Sequence, residues 1–213
     1  MRTKVDLVIP VKALGRAKSR LVGAADGGAG DPDAHAALAL ALALDTATAA
    51  HAADVVRRVV TVTSDPAVAA ELRAVGVEVL SEERPESGLN TALRLGAALL
   101  RGRDPRSVVG ALQADLPALR PEELAAAVRA SAGRRAFCPD RQGTGTTLLL
   151  SAPGGDLGPR FGVGSAGAHR DSGAVALLGP WPSLRCDVDT EEDLVLAGEL
   201  GLGSHTAARL CPL

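Results

Sequence analysis

The chain has 213 residues, a formal net charge of −2 and 46% hydrophobic residues, so it is long enough to bury a sizeable core in one domain. The near-zero charge and an aromatic content of 1% argue against nucleic acid or an anionic membrane surface as partners. Cys138, Cys186 and Cys211 are too widely spaced for a disulfide framework or a zinc site, and no apolar run reaches transmembrane length. We expect a single cytoplasmic domain over residues 1–213.

The first predicted element is a buried strand at residues 5–11, which leads directly into a basic loop. Lys12, Lys18 and Arg20 in this loop are suited to hold the β- and γ-phosphates of a nucleotide, and Lys18 is also a catalytic candidate. No GxxxxGK[ST] motif is present, which excludes a Walker A loop. A solvated basic turn is the alternative. The glycine-rich residues 23–33 then predict either a lid or an irregular connection.

The following segments alternate between helix and strand, which predicts an α/β fold with a mostly parallel sheet and helices on both faces. The expected elements are a helix at 34–52, a strand at 58–63, a helix from Pro66 to Ala74, a strand at 77–80 and a helix from residue 88. Asn90 lies at the start of the last of these helices, where asparagine is most often a cap. The alternative is a nucleotide-binding amide that contacts the base or ribose.

The stretch at residues 107–117, SVVGALQADLP, is the centre of the predicted fold. Its short apolar run predicts a strand buried on both faces, and Pro117 ends it. Asp115 therefore lies at the carboxyl end of a buried strand, where open α/β sheets bind their ligands. We interpret Asp115 as a metal ligand at the mouth of a nucleotide site. A turn or N-cap role for the helix expected from Pro121 is the alternative.

The second half of the chain carries small polar residues between predicted strands. A strand at 134–139 is followed by DRQGTGTT at 140–147, a loop in which backbone and hydroxyl groups can approach an anion. A plain hairpin turn is the alternative. Residues 153–173 predict a long loop, within which residues 161–165 resemble a second anion-binding turn. His169 in this loop is predicted to form hydrogen bonds rather than to bind a metal.

A last strand is expected at residues 184–189, ending in Asp187 and Asp189. Positions i and i+2 of an extended segment face the same side, so the two carboxylates repel unless a divalent cation lies between them. Thr190 and Asp193 then predict the cap of a terminal helix. The alternative is that Asp189 and Thr190 are cap residues only.

Taken in order, several blocks of the sequence resemble the CofC/FbiD family within the MobA-like nucleotidyltransferases. The blocks are VIPVKALGRAKSRL, SGLNTAL, QADLPALRPEEL, DRQGTGTTLLL, PRFGVGSAGAHRDSGA and LRCDVDTEEDL, and they span about residues 5–205. Ala114 departs from the family pattern, which usually has glycine before the metal-binding aspartate. The resemblance implies a Rossmann-like nucleotidyltransferase fold.

The resemblance further implies an enzyme that joins GMP from GTP to the phosphate of phosphoenolpyruvate, releases pyrophosphate, and forms enolpyruvyl-diphospho-guanosine for coenzyme F-420 biosynthesis. It makes Asp115, Asp187 and Asp189 the ligands of Mg²⁺. It also makes Thr146, Gly162 and Ser165 the residues that contact phosphoenolpyruvate. The Ala-, Arg- and Gly-rich composition is typical of GC-rich actinobacteria, which favours phosphoenolpyruvate.

Several alternatives stay open at this point. The acceptor can be 2-phospholactate or 3-phosphoglycerate, which are also small phosphorylated three-carbon acids. The same scaffold also serves cytidylyl- and molybdopterin-type transferases, and a nucleotide-binding protein without turnover is the alternative outside the enzymes. Oligomeric state is not predicted, and a homodimer is among the options.

Overall fold

The computed structural model of the chain describes residues 4–12, 21, 23–24, 28–82 and 88–210. Its strands are β1 (Val5–Pro10), β2 (Val56–Thr63), β3 (Glu78–Ser81), β4 (Val108–Leu112), β5 (Ala136–Pro139), β6 (Thr146–Leu150) and β7 (Val175–Ala176). Its helices are α1 (Pro32–Ala52), α2 (Pro66–Ala74), α3 (Leu89–Arg103), α4 (Pro121–Ser131), α5 (Ser165–Asp171), α6 (Pro182–Arg185), α7 (Glu191–Leu200) and α8 (Ser204–Leu210).

The strands form one seven-stranded sheet in the order β3-β2-β1-β4-β6-β5-β7. β1 pairs in parallel with β2 and β4, and β2 pairs in parallel with β3. β6 runs antiparallel to both β4 and β5, whereas β7 is parallel to β5. The prediction of a mostly parallel sheet is confirmed. The antiparallel β6 separates a parallel half, β3-β2-β1-β4, from a mixed half, β6-β5-β7.

Helices cover both faces of the sheet, which explains why its central strands are almost entirely apolar. On one face, Leu7 and Ile9 of β1 join a core that includes residues of α1, α2, α4 and α6. On the other face, Val8 joins a core with residues of α3 and α5. Gly96 lets α3 lie close to the sheet, since a Cβ there would fall 2.5 Å from a methyl carbon of Val8.

Two helix starts follow the signals predicted from the sequence. Asp65 is the N-cap of α2, where its carboxylate accepts two backbone N–H bonds of 2.9 and 3.3 Å, and Pro66 occupies the first helical position. Thr190 and Asp193 form a capping box at the start of α7. Both predictions are confirmed, and both of these caps use only neighbouring residues.

Several expectations after residue 150 are wrong. Residues 153–173 are not a continuous loop, because they contain α5. Residues 184–189 are not a strand: Pro182 begins α6 instead, and the antiparallel β6 already occupies the place beside β4. α7 is not terminal, because α8 follows it.

α8 is held by a contact that no local pattern indicates. Asp45 of α1 accepts backbone N–H bonds from His205 at 3.0 Å and Thr206 at 2.7 Å. Gly203 precedes α8, and a Cβ at this position would collide with the Asp45 carboxylate. A buried acidic group in an alanine-rich helix thus supplies the cap of a distant one. No helix in the described part of the chain is long and apolar enough to cross a membrane.

Candidate active site

A cavity of about 690 Å³ opens at the carboxyl ends of β1 and β4. This volume is typical of small-molecule sites, and the position is the one that open α/β sheets use for ligands. Its lining combines an apolar side, an acidic side and a side of small polar residues: Pro10, Val11, Lys12, Ala39, Leu42, Ala43, Leu89, Gln113, Ala114, Asp115, Asp140, Thr144, Gly145, Thr146, Gly162, Val163, Gly164, Ser165, Asp187 and Asp189.

Asp115 reaches the cavity through a turn that is fixed from both sides. On one side, the hydroxyl of Thr46 in α1 accepts the backbone N–H of Leu116 at 2.9 Å and donates to a carbonyl of its own helix at 2.8 Å. On the other side, the backbone N–H of Val188 donates to the carbonyl of Asp115 at 3.0 Å. Because Val188 lies between Asp187 and Asp189, this bond places the two acidic segments side by side.

Asp193 shapes the turn that carries Asp187 and Asp189. One of its carboxylate oxygens accepts the backbone N–H groups of Asp189 at 3.3 Å and Thr190 at 3.1 Å, and the Thr190 hydroxyl at 2.8 Å. The other oxygen accepts a hydrogen bond from Arg141 at 3.1 Å. Thr190 is therefore a cap residue, as both interpretations had it, while Asp189 lines the cavity.

The acidic side of the cavity brings several carboxylates close together. The pKa of Asp187 is raised to about 7, first by burial and then by the neighbouring carboxylates of Asp115, Asp189 and Asp140. Burial and the neighbouring negative charges thus disfavour the ionised form of Asp187, which an aspartate in water adopts at neutral pH. The structure brings the three predicted aspartates into one cavity, and their mutual repulsion is the condition that a bound cation relieves.

The carboxylates fit part of a Mg²⁺ site. Among the described residues, no three His, Cys, Asp or Glu side chains are arranged so that they alone could hold a metal ion. Mg²⁺ in nucleotide sites is usually bound by one or two carboxylates, with waters and substrate phosphates completing the coordination. Hard oxygen donors that repel one another at the end of a strand suit that arrangement. The roles of Asp115, Asp187 and Asp189 as metal ligands stay a prediction.

The loop at residues 140–145 joins β5 and β6 as a hairpin and also lines the cavity. Asp140 organises it, because its two carboxylate oxygens accept the backbone N–H groups of Thr144 at 2.9 Å and Gly145 at 2.7 Å. A Cβ on Gly145 would collide with that carboxylate, so glycine is required there. Asp140 thus holds its own turn, while the neighbouring Arg141 binds Asp193.

A second part of the cavity lining, the neutral side, is built from uncharged groups around Thr146 and Ser165. Thr146 and Ser165 are both buried, and their hydroxyl oxygens lie 3.2 Å apart. His169 in α5 contacts the Thr146 hydroxyl through Nδ1 at 2.9 Å and accepts the backbone N–H of Arg160 through Nε2, also at 2.9 Å. His169 is therefore a hydrogen-bonding residue, as predicted, although it lies in a helix rather than a loop.

Asn90 holds the backbone next to Gly162. Its amide oxygen accepts the N–H of Phe161 at 2.8 Å, and its amide nitrogen donates to the carbonyl of the same residue at 2.9 Å. The N-cap of α3 is Gly88, which has no side chain to cap with, so the prediction that Asn90 is the cap is wrong. Its amide instead forms hydrogen bonds with the backbone of Phe161, 71 positions later in the chain. The residues around the start of α3 give no indication of this partner. A nucleotide-binding role for Asn90 stays a prediction.

The basic loop is described only in part. Lys12 is exposed and lines the cavity, whereas Lys18 and Arg20 lie outside the described residues, as does part of the expected lid at 23–33. Sequence analysis did not single out Gln113, which follows β4 directly and lines the cavity. Val163, within the predicted anion-binding turn at residues 161–165, is fully exposed and also lines the cavity.

The chain is similar in sequence to known proteins. The MobA-like NTP transferase domain matches residues 41–170. The phosphoenolpyruvate guanylyltransferase of Geodermatophilus obscurus is 53% identical over 96% of this chain and 93% of its own length. That of Salinispora arenicola is 54% identical over 94% of this chain and 91% of its own length.

Solved structures show the same fold at low sequence identity. A 4-diphosphocytidyl-2C-methyl-D-erythritol synthase aligns with a TM-score of 0.60 and 15% identity, over 93% of this chain and 99% of that one. A cytidylyltransferase from Leptospira borgpetersenii aligns with a TM-score of 0.56 and 14% identity, over 96% of this chain and 90% of that one. At such identities the likeness concerns the Rossmann-like nucleotidyltransferase fold alone.

Proposed function

This chain belongs to the family of MobA-like NTP transferase domains, and we propose that it transfers GMP from GTP to phosphoenolpyruvate with release of pyrophosphate. The observation that carries the proposal is its identity of about half, over almost the full chain, with phosphoenolpyruvate guanylyltransferases. The product of this transfer is enolpyruvyl-diphospho-guanosine. Its use as a precursor of coenzyme F-420 is part of the proposal.

The reaction requires no protein nucleophile. An oxygen of the phosphoenolpyruvate phosphate attacks the α-phosphorus of GTP in line, the bond from that phosphorus to the β-phosphate oxygen breaks, and pyrophosphate leaves with the electron pair. The main obstacle is the repulsion between two polyanions. Asp115, Asp187 and Asp189 would hold Mg²⁺, which neutralises phosphate charge and stabilises the leaving group. The fixed turn at Asp115 and the Asp193-bound turn position these carboxylates before substrate arrives.

The neutral side of the cavity seats the acceptor. Thr146 and Ser165 offer hydroxyl groups, and Gly162 has a φ of 138°, which favours glycine and leaves the loop without a side chain at this position. Neutral donors suit this role because the carboxylate of a bound acceptor then meets no acidic side chain that would repel it. Lys12, together with Lys18 and Arg20, supplies positive charge for the β- and γ-phosphates.

The test is an acceptor and nucleotide panel with purified protein and Mg²⁺. We expect pyrophosphate release with GTP and phosphoenolpyruvate, with the new diphosphate linkage visible by ³¹P NMR, and no turnover once EDTA is added. CTP and ATP test the choice of base, while 2-phospholactate and 3-phosphoglycerate test the acceptor. Faster turnover with either of these two acids would move the assignment to that acceptor. Binding of GTP without pyrophosphate release from any pair would contradict an enzymatic role.

A further inference from the structure

His169 is a buried titratable residue that the proposed chemistry does not use. Its side chain has no solvent exposure. The sequence has two phenylalanines, and both pack on the imidazole: Phe161 edge-on with ring centroids 5.1 Å apart, and Phe137 tilted at 5.9 Å. Packing from two sides fixes the orientation of the ring, so each ring nitrogen has one defined partner.

The partner of Nε2 determines which nitrogen carries the proton. Nε2 lies 2.9 Å from the backbone nitrogen of Arg160, and a backbone N–H can only donate. Nε2 must therefore be the acceptor, and the neutral ring carries its proton on Nδ1. Nδ1–H then donates to the hydroxyl oxygen of Thr146, 2.9 Å away.

This donation decides where the hydroxyl protons of Thr146 and Ser165 are directed. Each hydroxyl has one proton, and the 3.2 Å contact between the two oxygens uses one of the two protons. Because Nδ1–H already occupies the Thr146 oxygen as donor, neither proton can return to His169. Within the described residues, these two hydroxyls make no further hydrogen bond to protein. One proton therefore remains for a group in the cavity, and that group must be a hydrogen-bond acceptor.

The electrostatic surroundings keep the ring neutral. The pKa of His169 is lowered to about 4, first by burial and then by the positive charges of Arg135 and Arg160. An imidazolium would also direct its Nε2–H at the backbone N–H of Arg160. The packed ring cannot turn away from this contact. The tautomer is thus the same across the pH range in which an enzyme of this kind is assayed.

We propose that His169 is a positioning residue that sets acceptor affinity without touching the acceptor. Its Nδ1–H fixes the Thr146–Ser165 pair as a hydrogen-bond donor toward an anionic oxygen of the acceptor. Its Nε2 holds the backbone two residues before Gly162, so both parts of the acceptor seat depend on one ring. The identity of the acceptor as phosphoenolpyruvate rests on the proposed function.

Two substitutions separate the two nitrogens of the ring. His169→Asn keeps an N–H donor near the position of Nδ1, whereas His169→Gln keeps a polar group near Nε2 and removes the donor to Thr146. We expect His169→Gln to raise KM for phosphoenolpyruvate about tenfold, the effect of one lost hydrogen bond to a charged group, with KM for GTP and kcat within about threefold. We expect His169→Asn, which keeps the donor to Thr146 but loses the acceptor for the Arg160 N–H, to recover part of the affinity for phosphoenolpyruvate. His51→Gln, on an exposed position of α1, is the matched control.

The tautomer is measured independently of activity. In ¹⁵N-labelled protein, we expect the imidazole of His169 to show a protonated Nδ1 and an unprotonated Nε2 from pH 6 to pH 8, with His169→Gln providing the assignment among the four histidines. A protonated Nε2 at pH 7 would overturn the inference.

The outcomes distinguish this inference from the proposed function. If the wild-type protein releases pyrophosphate but His169→Gln and His169→Asn lose affinity for both substrates equally, the role of His169 is structural and the inference fails. An unchanged KM for phosphoenolpyruvate in a folded His169→Gln variant would overturn it as well. If no substrate pair gives turnover while the Nδ1–H tautomer is observed, the proposed function fails instead.

Discussion

Hydrogen bonds hold both the acidic and the neutral side of the cavity in place, but the two sides differ in their electrostatics. Backbone contacts fix the turns of Asp115 and Asp187, yet burial and then repulsion from the neighbouring carboxylates raise the pKa of Asp187. On the neutral side, Thr146, Ser165 and His169 complete each other's hydrogen bonds except for one donor. The acidic side therefore has the electrostatics that a bound cation would suit, whereas the hydrogen bonds of the neutral side are made within the protein.

This difference predicts that the two sides respond differently to substitution. Changes on the acidic side remove charge that acts in the transition state, so they lower kcat. Changes on the neutral side remove binding that substrate and transition state share, so they raise KM for the acceptor. Two of the following experiments test that division by kinetics, and two test by stability what holds each side in place.

The largest expected effect is that of Asp115→Asn. The substitution keeps the size of the side chain but removes the charge proposed to hold the metal, so we expect kcat to fall on the order of 10²-fold or more. Pyrophosphate release at saturating GTP, phosphoenolpyruvate and Mg²⁺ measures it. Asp171→Asn, at an exposed position near the end of α5, is the control and should keep normal turnover. Near-normal turnover by Asp115→Asn would contradict the metal role.

Asn90→Leu tests the neutral side. It removes both hydrogen bonds to the Phe161 backbone, so we expect a loss of about 2 kcal/mol in the free energy of unfolding and about a tenfold rise in KM for phosphoenolpyruvate. Urea denaturation and steady-state kinetics measure the two effects. Asn90→Asp retains the acceptor for the Phe161 N–H and should fall between the variant and the wild type. A fall in kcat with unchanged KM for phosphoenolpyruvate would contradict the proposed division between the two sides.

Thr46→Val asks whether the acidic side depends on its backbone support. Thr46 is buried, and valine of similar shape leaves the N–H of Leu116 without its acceptor, which costs about 1–3 kcal/mol of stability. Thr48→Val, on an exposed position of the same helix, is the matched control. Chemical denaturation compares the pair. Equal stability of the two variants would show that the turn at Asp115 is held by other contacts.

The parallel half of the sheet is also the part that sequence predicted best. β1, β4 and residues 59–63 of β2 are buried, so their apolar runs stand out, and the cap at Asp65 uses only neighbouring residues. The mixed half was predicted poorly beyond β6. Whether residues 184–189 form a strand depends on which strand occupies the place beside β4, and this is a tertiary property.

In the candidate site, too, the sequence indicated residues whose signal lies in their immediate neighbours. Asp115 was recognisable because it follows a buried run. Asp187 and Asp189 were selected because positions i and i+2 of a strand face the same side, although this segment is not a strand; both still line the cavity. The contact of Asn90 with Phe161 spans 71 positions, and that of Asp45 with His205 spans 160. No local pattern contains such partners, so sequence assigned Asn90 to a helix cap instead.

The smallest expected effect concerns pH and the neutral side. The pKa of His169 is about 4 in the folded protein and about 6.5 in an unfolded chain, so the unfolded state takes up the proton first as pH falls. The contribution to stability is therefore present above pH 6.5 and is lost as pH falls from there toward 4. Linkage predicts a loss of about 1 kcal/mol between pH 7 and pH 5.5 from this residue.

Urea denaturation of variants at several pH values isolates the contribution of His169 to the pH dependence of stability. His169→Gln cannot take up the proton, so its stability should depend less steeply on pH in this interval than that of the wild type. His51→Gln removes an exposed histidine and should leave the slope unchanged. Identical slopes for wild type and His169→Gln would mean that the ring titrates normally in the folded state. The neutral side would then lose the fixed tautomer on which its contrast with the acidic side depends.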